Sequence, residues 1–197
     1  MTGDGSDPTS PAAPRVAPLP PSERDDEVAR LLAATLPGAD RPLGDLNLFA
    51  TFARHPSLFR SWLRLGAALL DGLLPARDRE LLILRTAFRC RCAYEWDHHV
   101  RIGRAAGIDA DGIRRIAADP DAGGWDPHEA ALLRLVDELH DTATVTDATW
   151  NELARRYDDA EMIEALFVVG EYQMLAFALN AARVARDTPR PDSPLPW

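Results

Sequence analysis

The run Glu80-Leu-Leu-Ile-Leu-Arg-Thr-Ala-Phe-Arg-Cys-Arg-Cys-Ala-Tyr-Glu-Trp-Asp-His-His99 gathers an acid, a thiol, a second acid and an imidazole at spacings that helices can bring together. Both cysteines of the chain, Cys90 and Cys92, fall inside it, as do two of the five histidines. On one helix, Cys92, Glu95 and His99 would lie within an arc of about 60°, at ~100° per residue. Glu95 and His99 are an i, i+4 pair, close enough to hydrogen-bond along a helix. A carboxylate beside an imidazole orients the ring and raises its basicity, which suits proton transfer near neutral pH. The alternative is a surface ion pair of little consequence. Tyr94 and Trp96 argue against that alternative, because they would partly shield the pair from water.

Each remaining group admits two readings. Cys92 is either a nucleophile or a buried small hydrophobe: only thiolate attacks, and a neighbouring Glu95 opposes its formation. Glu80 is either a first-turn charge that complements the helix dipole or a buried acid that holds its proton. Arg85 or Arg91 could hold a substrate carboxylate through paired hydrogen bonds. Glu171 stands in an otherwise apolar segment, where a lone acid must be paired, protonated or functional. His98 points about 100° away from His99 and reads as an exposed residue. No H-x-x-x-H or H-E-x-x-H spacing accompanies these acids, so no metal is expected.

The elements that must position these groups read as helices. Ser22-Glu-Arg-Asp opens a run carrying Val28, Leu31 and Leu32, closed by Pro37-Gly38. Leu46, Phe49 and Phe52 suggest a short helix ended by His55-Pro56, and Leu58, Trp62, Leu65 and Leu69 form the next apolar stripe. Pro75 precedes the helix of Glu80; Gly107 stops the helix of His99, and Asp109 can cap the short one that follows. Asp126-Pro127 starts a helix running to about His140, and Thr146-Asp147 starts another that ends near Tyr157-Asp158. The last helix, about 159–186, is apolar on nearly every side, as in a core helix or one pressed against another subunit. With no alternating strand pattern and no repeat, the fold class is all-α.

A length of 197 residues suits one domain, and the predicted division is a disordered tail over 1–21, a helical domain over 22–187 and a second disordered tail over 188–197. With 22 basic and 31 acidic residues the net charge is −9, which argues against nucleic acid and anionic membrane surfaces as partners. The N-terminal residues lack the basic and apolar regions of a signal peptide. Two cysteines separated by one residue cannot form a disulfide framework, and free thiols fit a cytoplasmic location.

From Leu74-Pro-Ala-Arg-Asp-Arg-Glu80 to Gly107, and more loosely from Phe49 to Ala182, the chain resembles the carboxymuconolactone decarboxylase and alkylhydroperoxidase D (AhpD-like) superfamily. In its peroxidase branch a glutamate is followed twelve residues later by Cys-x-x-Cys-x-x-x-His. Glu80, Cys92 and His99 match the glutamate, first cysteine and histidine, while Glu95 replaces the second cysteine, the one that attacks peroxide. Cys90 does not substitute, since it precedes Cys92. The decarboxylase branch carries a Glu-x-x-x-His arrangement that Glu95 and His99 reproduce. The resemblance implies an all-helical fold assembled as trimers or hexamers. It leads to a cofactor-free small-molecule enzyme that decarboxylates or isomerises a carboxylated or lactone-like compound. His99 would be its acid or base, Glu95 the orienting partner and Glu80 a second proton carrier. A one-cysteine thiol peroxidase working through Cys92 and a non-catalytic ligand-binding protein are the alternatives.

Overall fold

In the computed structural model the chain is described over residues 13–34, 42–187 and 195–197. Among these residues there is no strand; nine helices follow one another as α1 (Asp26–Leu32), α2 (Asn47–Phe52), α3 (Pro56–Leu70), α4 (Ala76–Arg89), α5 (Ala93–Ala105), α6 (Ala110–Ile116), α7 (Pro127–Thr142), α8 (Asp147–Leu153) and α9 (Asp159–Ala182). The predicted caps act as expected. Asp109 accepts from the Gly112 amide, Asp126 forms a reciprocal capping box with Glu129, and Thr146 accepts from Thr149.

Helix α4 is the axle. Its residues from Glu80 to Ala87 are all buried, and it packs on α5, α7 and α9. An eight-residue buried stretch on one helix requires neighbours on every side, which these three supply. One apolar cluster joins α4 to α7 and the first half of α9; a second joins α2 and α3 to Cys92, Tyr94 and the second half of α9. The groups of interest lie where the two clusters meet.

The turn between α4 and α5 fixes that meeting point. Arg91 adopts a left-handed φ of 49°, the Arg91 amide donates to Phe88 and the Cys92 amide to Ala87. This is the helix-ending motif that usually employs glycine. Gly107, with φ of 86°, ends α5 in the same way. Helix α5 therefore folds back along α4 after three residues. Gly103 permits close packing: a Cβ there would lie 3.0 Å from Leu84 and 3.8 Å from Glu80.

Several expectations need correction. On α3 the buried residues are Phe59 and Leu69, whereas Leu58 and Leu65 face solvent, so the stripe is displaced by one position at its start. Helix α9 stops at Ala182, because Arg183 turns left-handed at φ 53°. The Pro37-Gly38 stop lies outside the described residues, as do residues 1–12 and 188–194 of the expected tails. The described parts of those tails are pinned. Arg15 and Val16 donate to the Ala182 carbonyl, Leu19 donates to Ala50, and Leu19 is buried. Pro18, Pro20 and Pro21 restrict this segment before it docks, which lowers the entropy lost on ordering. At the other end Trp197 sets its ring 6.3 Å from Phe88 and 6.2 Å from Trp96.

Candidate functional site

Glu80 and His99 come together across the α4–α5 hairpin. His99 Nδ1 lies 2.8 Å from Glu80 Oε2, and the Glu80 side chain is wholly inaccessible. His99 Nε2 lies 3.5 Å from Glu95 Oε2, too far for a good hydrogen bond. The spacing of Glu95 and His99 thus does place them side by side on α5, but the tight partner of the imidazole is Glu80. Tyr172 of α9 closes the group, its ring edge-on to His99 at 5.0 Å and 89°.

The electrostatics follow from burial and like charge. Burial alone would lower the pKa of His99, yet the Glu80 charge and hydrogen bond, aided by Glu95, carry it above its ordinary value. Glu95 is raised by burial first, with Glu80 and Glu171 adding repulsion that His99 and His98 only partly offset. Burial and the same three acids push Tyr172 well above the phenol range. The cluster is also rich in unused acceptors. Glu80 Oε1, Glu95 Oε1 and both oxygens of Glu171 are buried without a hydrogen-bond partner among the described residues. Burial raises Glu171, and the Trp62 indole is the group that opposes the shift. Unsatisfied buried acceptors are costly, so they mark places where a proton or a ligand donor belongs.

Cys92 occupies a different role. It is the N-cap residue of α5, not a member of the helix interior, and it is fully buried in the second apolar cluster. Burial and then the Glu95 charge push its thiol up to about 12, despite some help from the amides at the start of α5. A neutral thiol is a poor nucleophile.

Most of the other sequence candidates are spent on structure. Arg85 grips Asp137 at 2.8 and 2.6 Å and donates to the carbonyls of Ile116 and Ala118. Arg91 extends into solvent from the left-handed turn. Tyr94 donates to Asp187 and accepts from the Leu48 amide. Trp96 lies in the first apolar cluster. His98 is not free: its Nε2 lies 2.9 Å from Asp187.

Two residues enter that sequence reasoning passed over. Tyr172 was visible only as a polar interruption in α9. Arg79 is half-buried with its Nε shielded and unpartnered, and its charge acts on both His99 and Tyr172. A signal for it existed: no acid stands three or four residues before or after Arg79, so α4 itself offers it no partner. Among the described residues no group of three or more His, Cys, Asp or Glu side chains has a geometry that could hold a metal ion.

Residues 56–138 match the sequence profile of the Carboxymuconolactone decarboxylase family. No match was found among curated proteins. Among solved structures, an uncharacterized peroxidase-related protein from Ralstonia eutropha JMP134, described as an alkylhydroperoxidase AhpD core, is 19% identical with a TM-score of 0.73, covering 89% of this chain and 94% of that one. The debrominase Bmp8 is 16% identical with a TM-score of 0.71 over 87% of this chain and 91% of that one. A protein of unknown function from Agrobacterium tumefaciens is 21% identical with a TM-score of 0.65 over 70% and 96%. The matched segment contains the whole α4–α5 hairpin, so over that segment the chain is similar to the carboxymuconolactone decarboxylase family, and its all-helical fold is shared with the AhpD-like structures.

Proposed function

We propose that the chain is a cofactor-free acid/base enzyme acting on a small carboxylated or lactone-like molecule by decarboxylation or double-bond migration. The observation that carries this reading is the buried Glu80–His99–Glu95 line, anchored tightly at one end and loose at the other. Glu80 holds Nδ1 and so fixes the ring and favours its charged form. Nε2 then carries the proton to be delivered, on the side of Glu95. Glu95, whose affinity for a proton is raised by burial, is the complementary base. The orienting and proton-carrying roles of the two glutamates are thus the reverse of those their spacing suggested.

In such a cycle Glu95 removes a proton from carbon, or CO2 departs from it, leaving an electron pair delocalised into an adjacent carbonyl. His99 delivers its Nε2 proton to the carbon that ends the shift. Arg79, with no ion-pair partner among the described residues, offsets the substrate's negative charge. The fold accommodates small molecules in a relative: a cysteine variant of the debrominase Bmp8 was crystallised with 2,3,4-tribromopyrrole. A thiol-peroxidase reading gains less from the geometry, because Cys92 is buried and neutral. The test is solvent-deuterium incorporation and turnover across a panel of carboxylated lactones and unsaturated acids. Substrates turned over by the wild type should be lost with His99→Asn, and turnover retained in that variant would end the mechanism.

A further inference from the structure

Helix α9 has a second face that none of the described residues covers. Ile163, Phe167, Met174 and Phe177 are 56, 56, 51 and 59% exposed. With Gly170 they fall at steps of four, three, four and three residues, the spacing of a helix-pairing seam. Leu70 and Leu73 extend the apolar surface at one end, where the Leu73 and Leu74 amides donate to Glu164 beside Ile163. Those bonds tie the acid's charge away from the seam. Positions 163, 166, 167, 170, 173, 174, 177 and 178 carry no charge. Four large side chains, each more than half exposed, make a patch on the order of a few hundred Å², of the kind that marks an interface.

We propose that this face pairs antiparallel with a second copy of itself, about a two-fold axis at Gly170. An isologous contact requires a surface that matches itself when reversed. The stripe does so: Ile163 and Phe177 lie seven residues on either side of Gly170, with Phe167 and Met174 between them. Ile163 then meets Phe177 of the partner subunit, and Phe167 meets the partner's Met174. At the axis Gly170 has open space, with no atom within 4 Å of where a Cβ would stand, so the two backbones can approach closely. A bilayer is the competing occupant, since α9 is long and apolar enough to cross one. Half of that stretch is buried within the chain, however, and the helix carries four acidic and no basic residues, the reverse of a membrane-surface helix.

Sedimentation velocity on the full chain tests the pairing. The wild type should sediment as a dimer or a multiple of one, and a Phe167→Glu, Met174→Glu variant should have half that mass with unchanged helical circular dichroism. A monomeric wild type, or a variant of unaltered mass, overturns the proposal. Register is read by oxidative cross-linking in a Cys90→Ser background. An equal mixture of Ile163→Cys and Phe177→Cys chains should join while neither joins alone; self-joining of Ile163→Cys would show a parallel contact and overturn the antiparallel one. Co-sedimentation of the wild type with phosphatidylglycerol vesicles would overturn it in favour of the bilayer.

Discussion

Two histidines in this molecule have matching surroundings and unlike accounts of their hydrogen bonds. His99 faces Glu80 and has Tyr172 edge-on at 5.0 Å; His128 of α7 faces Asp78 and has Tyr157 edge-on at 4.8 Å. Both acids come from the first turns of α4. Asp78 Oδ2 accepts from the Tyr157 hydroxyl at 2.7 Å and lies 3.0 Å from His128 Nε2. Burial would raise the Asp78 pKa, but those two partners hold it below the ordinary value. Around His99, by contrast, every glutamate keeps at least one oxygen without a partner, and Tyr172 contributes its ring. A cluster whose acid is doubly bonded is a fastener between α4, α7 and the loop from α8 to α9. One with spare acceptors and a loosely held second acid is poised for proton traffic.

The widest separation between the two should come from the same substitution made in each. His99→Asn should lower turnover by about 10²- to 10⁴-fold, the usual worth of a positioned acid or base, with only a modest change in urea midpoint. His128→Asn should leave turnover near the wild-type level and lower the midpoint instead. Equal loss of turnover in both variants would erase the distinction. Next in size is Asp78→Ala, which removes two hydrogen bonds to a charged acceptor. It should destabilise the fold by about 1.5–3 kcal/mol in urea denaturation, with the rate per folded molecule retained.

The contrast was only half legible in the sequence. The all-helical architecture followed from caps and periodicity, because Asp109, Asp126 and Thr146 act within a few residues of themselves. Glu95 and His99 were readable for the same reason, being one turn apart on one helix. The stronger Glu80–His99 contact spans nineteen residues and depends on a reversal at Arg91, where no glycine announces the left-handed turn. Tyr172 comes from α9, more than seventy residues from His99, and no local spacing reports such a neighbour. Arg85 resembled an available cation until Asp137, fifty-two residues away, took both arms of its guanidinium. Local chemistry was visible; partners fixed by tertiary packing were not.

Arg79 supplies a smaller but sharper separation, between the site and the frame of α4. Arg79→Gln should raise KM for a carboxylated substrate about tenfold, the effect of losing ~1.4 kcal/mol of binding. Its kcat and stability should stay close to wild type. Arg85→Gln, six residues along the same helix, should instead lower stability, since it strands Asp137 and two carbonyls. A neutral analogue of the substrate should not distinguish Arg79→Gln from wild type; if it does, the arginine is not reading charge.

The smallest effect concerns the pH response of stability, and here the two clusters should differ in sign. Glu95 has a raised pKa in the fold, so its unfolded form gives up a proton first as pH rises above the ordinary glutamate value of 4.5. Its favourable share of stability is therefore complete below 4.5 and is lost as pH climbs through the raised folded value. His99, also raised, follows the same sense above 6.5. Asp78 is lowered, so its share is present above 3.8 and is lost only as pH falls through its folded value. Glu95→Gln should accordingly flatten the decline of the urea midpoint between weakly acidic and neutral pH, while Asp78→Asn should flatten only the acid limb. The wild-type rate profile should be bell-shaped and the same Glu95→Gln change should abolish turnover, because catalysis requires ionised Glu95 together with protonated His99. If the midpoint profiles of Glu95→Gln and wild type run parallel, the proton on Glu95 is not linked to folding, and the loose end of the relay loses its physical basis.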